Sequence, residues 1–269
     1  MRIVTLLTDF GADSAYPAQM RGVILAPAPG SGLRVVDITH GIRRHDVRHG
    51  AYALYAASGA FPAGTVHVAV VDPGVGTERR ALAVRSGGFL FVGPDNGLLM
   101  LAARAAGSPR AREIMHPDLR RPEVCATFHG RDIFAVCARW LALGFPFDAV
   151  GPEVGDPVDR LWGPPRLVGE EIAGEVIAAD PFGNLATNIP AQWIRGLPGF
   201  VDVRIEGRTH RARVVDTYGQ AEVGALLVLS GSDGLVEIAV REGSAAVRLG
   251  AGPGADVRIS PAPEHAPIP

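Results

Sequence analysis

The sequence predicts an α/β N-terminal domain with a mainly parallel central sheet, followed by a smaller all-β, barrel-like C-terminal domain. Three observations predict it. Short β-branched runs alternate with helix-period segments through the first half. A proline-rich segment, PVDRLWGPPRLV at 157–168, then breaks the pattern like an inter-domain linker. Beyond it, strand-like runs follow one another with turn residues between them. Domains are expected over 1–160 and 169–260, with 261–269 (PAPEHAPIP) as a frayed tail.

The elements follow in order. Residues 3–8, rich in Val, Leu and Thr, read as a buried strand. Residues 15–25 read as a helix capped by Asp13 or Ser14, with Pro17 in its first turn. A strand is expected at 35–39, and a helix at 46–57 with Val47, Ala51, Leu54 and Tyr55 on one face. Residues 66–71 form a third strand; 81–86 and 89–92 form a hairpin about Gly87-Gly88. Helices are expected at 97–106 and 131–143. In the second domain, strands are expected at 172–178, 200–206, 209–215, 225–230, 236–240 and 257–259, and only 190–195 looks helical.

Composition limits the function. The chain is 47% hydrophobic and 20% charged, with net charge −2, so it can build a core but lacks the basic stripe that attracts nucleic acid. All 26 basic residues are arginine, which excludes a lysine Schiff base, a P-loop lysine or a lysine base. Two cysteines, Cys125 and Cys137, supply neither a disulfide framework nor a four-thiolate metal site. The opening MRIVTLLTDFG meets charge too early for a signal peptide. The longest stretch without Asp, Glu or Arg, 49–71, is broken by Gly and Pro and makes a poor membrane span. The expected location is the cytoplasm, without membrane or nucleic-acid partners.

In open α/β sheets, sites form beyond the carboxyl ends of strands, and polar residues gather there. Asp9 follows the first strand, where a carboxylate could accept from a ribose diol or serve in a turn. The third strand runs into DPGVGTERR, where Asp72 and Arg79 can pair, for chemistry or for structure, and Gly74 and Gly76 let the backbone bend closely. The missing lysine and the acidic Asp72 argue against a phosphate loop. In TFHGRD, His129 sits near a helix N-terminus, which favours its neutral ring. His45 and His49 have metal-ligand spacing but no evident third ligand. In DPFGN, Phe182 offers a stacking face and Asn184 a donor and an acceptor, unless the segment is only an Asx turn. The SGSDG turn at 230–234 could present backbone groups to a ligand or simply close a hairpin.

Taken together, TDFG, VDITHGIRRHDVRHGA, VVDPGVGTERR, GPDNGLL, TFHGRDIF, DPFGNLATNIP and SDGLVEIAVREGSA resemble the adenosine-forming S-adenosylmethionine hydrolases, or hydroxide adenosyltransferases, relatives of fluorinase and chlorinase. The resemblance runs from Thr8 to about Gly250. It implies cleavage of S-adenosylmethionine by water or hydroxide at the ribose 5′ carbon, giving adenosine and methionine, with no cofactor and no metal. It also implies a homotrimer with each site formed by one subunit's N-terminal domain and its neighbour's C-terminal domain. The implied catalytic triad is Asp72, Arg79 and His129. The implied substrate contacts are Asp9, Asp13, His45, Phe128, Gly130, Asp180, Phe182, Asn184, Ser232, Glu237 and Val240. In the halogenases the position of Asp72 holds tyrosine, and in fluorinase that of His45 holds tryptophan. A carboxylate repels an anion, so Asp72 favours water over halide. A halogenase and a non-catalytic S-adenosylmethionine or adenosine binder are the alternatives.

Overall fold

The computed structural model describes residues 2–26, 30 and 32–262. Part of the expected tail, 263–269, lies outside the described residues. The chain divides into two compact units, Met1–Leu161 and Trp162–Pro269.

The first unit alternates β1 (Arg2–Thr8), α1 (Ala15–Leu25), β2 (Leu33–Thr39), α2 (Val47–Ser58) and β3 (Val66–Val70). β4 (Ala81–Ser86), β5 (Phe89–Pro94), α3 (Met100–Ala106), β6 (Arg110–Glu113), α4 (Ala135–Ala142) and β7 (Glu153–Val154) follow. The sheet order is β2-β1-β3-β5-β4-β6-β7. The first four of these strands are parallel, and β4, β6 and β7 continue the sheet antiparallel. The sheet is therefore mixed. Its β6–β7 edge escaped the sequence reading because RARE is short and carries three charged residues, leaving little apolar periodicity to detect. Met20 and Ile24 of α1 and Cys137 and Leu141 of α4 pack with Val4, Leu6, Val68 and Val92 of the sheet.

Helix limits follow local chemistry. Asp46 is not the first residue of α2 but its cap, accepting from the His49 N–H at 2.9 Å. Ser14, not Asp13, stands at the start of α1, without a side-chain capping bond. The helix expected from residue 97 begins at Met100, because Gly97 sits at φ +92° and the Asn96 side chain accepts from the Leu98 N–H. The helix expected over 131–143 opens with a wide π turn, Gly130–Phe134, before α4.

The second unit contains β8 (Arg166–Val168), β9 (Glu171–Ala179), β10 (Leu185–Pro190), β11 (Phe200–Ile205) and β12 (Arg208–Val214). It continues with β13 (Leu226–Ser230), β14 (Leu235–Val240), α5 (Ala245–Leu249) and β15 (Asp256–Pro261). The strand order β10-β14-β13-β12-β11-β15-β9 closes through β9–β10, with β8 added outside on β9. Closure leaves the seven barrel strands without a free edge and encloses a core that includes Val176, Leu185, Val203, Val228 and Ile238. Three local expectations change. Residues 166–168 of the expected linker are a strand, and Pro261 of the expected tail ends β15. The expected helix at 190–195 is a single 3₁₀ turn, Ala191–Ile194. The five-residue α5 was too short for a periodic signal; Ser244 caps it through the Val247 N–H at 3.2 Å.

His67 of β3 is fully buried against Phe91, with ring centroids 5.2 Å apart. Its Nδ1 lies 2.8 Å from Thr5 Oγ1. Burial pushes its pKa down to about 4. Between that value and the ordinary 6.5, the unfolded chain binds a proton that the folded chain refuses, so stability is lost as pH falls through this window. The loss should reach roughly 3 kcal/mol near pH 4. Urea unfolding at pH 7 and pH 4.5 should show His67→Phe losing less stability on acidification than the parent; equal losses would contradict this reading. Among the described residues no helix is long and apolar enough to cross a membrane.

Candidate active site

Strands β2, β1 and β3 are adjacent and parallel, with Leu7 level with Thr39 and Thr8 level with Val70. The residues just past their carboxyl ends therefore emerge along one edge of the sheet. Asp9 follows β1, His40 follows β2 and Asp72 follows β3.

The loop after β3 turns back so that Arg79 meets Asp72 twice. Arg79 Nε donates to Asp72 Oδ1 at 3.1 Å and Nη2 donates to Oδ2 at 2.5 Å. Both side chains are buried, 8% and 5% exposed, so this is a desolvated pair and not a surface ion pair. Arg79 Nη1 donates to its neighbour's carbonyl, Arg80 O, and the guanidinium lies over the Phe134 ring at 5.4 Å. Arg80 faces elsewhere. It binds Asp95 and Asp156 at 2.7 Å each and staples the end of the loop. The loop also presses on the segment carrying His129: a Cβ at Gly76 (φ +77°) would stand 2.7 Å from Ala126 O.

Arg79 Nη2 lies 3.1 Å from His129 Nδ1. A guanidinium can only donate, so Nδ1 must accept, and the ring is neutral with its proton on Nε2. Burial, reinforced by the Arg79 charge, holds the His129 pKa below its ordinary value, in agreement with that tautomer. Burial raises the Asp72 pKa above the usual carboxylate range, against the opposing pull of Arg79. Arg79 thus joins Asp72 and the half-buried His129, residues 57 positions apart, into one relay.

His129 is the residue before the π turn. Its position is set by Asp132, which is fully buried and which the sequence reading did not single out. The Asp132 carboxylate accepts from the Cys125 N–H at 2.9 Å and from Arg131 at 2.7 and 2.9 Å. Burial alone would raise its pKa, but the Arg131 and Cys125 hydrogen bonds outweigh it and hold the carboxyl low. The only sequence signal was its place two residues into an apolar helix, where a carboxylate needs a partner.

The other expected residues of this unit fall into two groups. Asp9 Oδ2 accepts from the His45 N–H at 2.8 Å, and His45 adopts φ +64°, so the carboxylate holds the loop after β2. Phe128 packs edge-on to Tyr16 and Phe10 at 5.1 and 5.8 Å. Gly130 lies beneath them: a Cβ there would come within 3.4 Å of Phe10 and 3.3 Å of Phe128. Phe10 and Tyr16 were not foreseen, because aromatic residues at such positions read as ordinary packing. Asp13 is exposed and makes no side-chain hydrogen bond among the described residues.

In the barrel unit, Asp180 Oδ1 accepts from the N–H groups of Phe182 and Asn184 at 2.9 and 2.8 Å, the Asx turn the sequence allowed. Asn184 Nδ2 donates one N–H to Asp180 Oδ2 at 3.0 Å, which leaves its second N–H and its oxygen as a donor–acceptor pair. Phe182 is 78% exposed. Glu237 of β14 accepts from Tyr218 at 2.6 Å; burial raises the Glu237 pKa, and the same hydrogen bond pushes the Tyr218 pKa up to about 12. Tyr218 was not foreseen. Its signal was a Thr217–Gln220 capping box, which reads as a turn. Ser232 is exposed in the turn before β14, and Val240 is buried at the end of that strand.

An Asp–Arg–His relay past the carboxyl ends of an α/β sheet, in a chain that continues into a closed β-barrel, defines a class of two-domain α/β–barrel proteins. Comparison with known proteins narrows it. Residues 4–151 match the SAM hydroxide adenosyltransferase N-terminal domain, and residues 174–258 match the SAM hydroxide adenosyltransferase C-terminal domain. The chain belongs to the SAM hydroxide adenosyltransferase family. It is 42% identical over 267 residues to the (R)-S-adenosyl-L-methionine hydrolase of Thermus thermophilus, covering 96% of this chain and 100% of that protein. Its fold is similar to the crystal structure of an uncharacterized conserved protein from Thermotoga maritima, with a TM-score of 0.88 at 36% identity, covering 96% of this chain and 99% of that one. The fluorinase of an Actinoplanes species is more distant, 28% identical over 70% of this chain and 71% of its own.

Proposed function

We propose that the protein hydrolyses S-adenosylmethionine at the ribose 5′ carbon, releasing adenosine and methionine. The observation that carries this reading is the Arg79 bridge, which pairs Asp72 and leaves His129 with a free Nε2–H donor. The sulfonium is already a good leaving group, so the protein needs to supply a positioned, desolvated nucleophile in line with the C–S bond. His129 Nε2–H donates to the oxygen of the attacking water. Asp72, whose oxygens keep lone pairs beyond those used by Arg79, accepts its proton. The new C–O bond forms as the C–S pair returns to sulfur, giving neutral methionine. Arg79 holds both partners and favours hydroxide character in the nucleophile. No cofactor or metal enters this scheme.

Around this centre, Asp9 Oδ1 receives the ribose diol, since Oδ2 is held by His45. Phe128 and Gly130 shape the wall beside it, and Asp13 and His45 border the methionine. On the barrel, Asn184 offers its oxygen to the adenine amine, Phe182 stacks, and Asp180, Ser232, Glu237 and the Val240 backbone complete the contacts. The resemblance to the family supports a cytoplasmic homotrimer in which neighbouring subunits complete each other's sites. Its mass in solution tests that arrangement.

Incubation with S-adenosylmethionine and chloride, resolved by mass, should yield adenosine and methionine. A 5′-chloro nucleoside would instead identify a halogenase, and intact retained substrate a binder. The relay also fixes a pH dependence. Protonation of His129 would turn an N–H toward Arg79 and break the bridge, so turnover should fall with pH only below the ordinary histidine value of 6.5. His129→Gln keeps a donor without titrating and should lose that limb. A limb unchanged in this variant would count against His129 as its source.

A further inference from the structure

A second cationic feature lies on the first unit, outside the relay. The C-terminal half of α1, α4 and the segment 117–122 border an open cleft of about 680 Å³, within the size range of small-molecule sites. Arg120, Arg121, Arg131 and Arg139 line it, with Trp140 and Gln19. Among the described residues Asp118 is the only carboxylate lining the cleft, and it lies 3.9 Å from His116 Nδ1.

The four guanidiniums are unequally satisfied. Arg131 is paired with Asp132 and donates to Gln19 Oε1 at 3.0 Å. Among the described residues Arg121 meets only the same, already shared Asp132 carboxylate, at 3.6 Å, and is half exposed. Arg120 and Arg139 have no carboxylate partner among the described residues. Each gives one N–H to a backbone carbonyl, Ile114 O at 2.6 Å and Ala26 O at 2.8 Å. The Nε of each is buried without an acceptor. The Arg139 Cζ also lies over the Trp140 ring, 4.6 Å from its centroid, and burial lowers the Arg139 pKa. Buried donors in native proteins are nearly always satisfied, and each orphan N–H costs free energy. Those Nε atoms are closed to solvent, so what Arg120 and Arg139 offer the cleft is charge that no carboxylate balances and their remaining Nη donors, which with Arg121 match the many acceptors and the charge of a phosphoryl group.

We propose that this cleft binds a phosphorylated small molecule, with Arg120, Arg121 and Arg139 supplying the donors. The site stands apart from the hydrolytic reading and would survive its failure. The test is calorimetric titration of the full chain with inorganic pyrophosphate at low salt, beside malonate as a carboxylate of similar reach. Pyrophosphate should bind, weaken with added salt, and bind more tightly than malonate. Loss of one charged hydrogen bond should weaken it about tenfold in Arg121→Gln and at least as much in Arg139→Gln. Arg139 supports the Ala26 carbonyl, so its variant is interpreted only with a parent-like unfolding temperature. The exposed Arg121 gives the independent check. No binding, equal affinity for malonate, or parent-like affinity in both variants would overturn the proposal. So would a fall in oligomeric mass in Arg121→Gln, which would make the cleft a contact for a second copy's acidic residues.

Discussion

Asp72→Asn should lower kcat for S-adenosylmethionine cleavage by about 10²-fold or more. The replacement keeps the shape and still offers one oxygen to Arg79 Nε. Its amide nitrogen, however, meets the Arg79 Nη2 donor where the carboxylate accepted at 2.5 Å, so two donors face each other. The proton acceptor of the proposed scheme is lost as well. Because Arg79 is only 8% exposed, its charge is left buried and unpaired, and stability should drop by about 3–5 kcal/mol. Arg79→Lys is the companion test. A lysine cannot make the fork to Asp72 and reach His129 Nδ1 at once. Steady-state kinetics on folded protein, confirmed by thermal unfolding, decides the matter. Parent-like kcat in both variants would remove the relay from the mechanism.

Gly76→Ala should be the most damaging change that touches none of the three relay side chains. Gly76 sits at φ +77°, which costs an alanine about 1 kcal/mol before any contact is counted. The new methyl would then stand 2.7 Å from Ala126 O, a backbone atom that cannot swing aside. Relief requires the Asp72–Arg79 loop and the Cys125–His129 segment to separate, stretching the 3.1 Å Arg79–His129 contact. A displacement of about 1 Å can cost 10²-fold in rate. The expected result is a kcat fall of about 10- to 100-fold. Gly74→Ala is the control: φ there is not positive, and its Cβ would meet Thr77 and Arg79 atoms only at 3.4–3.8 Å. Comparable losses in the two variants would show that the loop tolerates no change at all and would sink the Gly76 argument.

Both predictions depend on residues of very different legibility. Asp72 and Arg79 were readable as a possible pair because they share one loop, seven residues apart. Whether that pair was structural or chemical could not be read from spacing. His129 enters through a segment 50 residues beyond Arg79, and local periodicity carries no information about such a meeting. Asp132 and Tyr218 were passed over for a related reason. A buried carboxylate and a rim tyrosine look like surface residues until their partners are known.

The sequence by itself determined the division into an α/β half and a β-rich half, the parallel core strands and the total absence of lysine, since these follow from apolar periodicity and composition. Its motifs also carried the family. Tertiary structure decided the β6–β7 edge, the closure of the barrel, the wide turn that positions His129 and the tautomer of its ring. It also decided which arginines are matched by carboxylates and which are not. The physical reason is common to all of these. Strand pairing at an edge, a proton's place on a ring and the balance of a buried charge are set by neighbours distant in the chain, and a linear pattern does not record them.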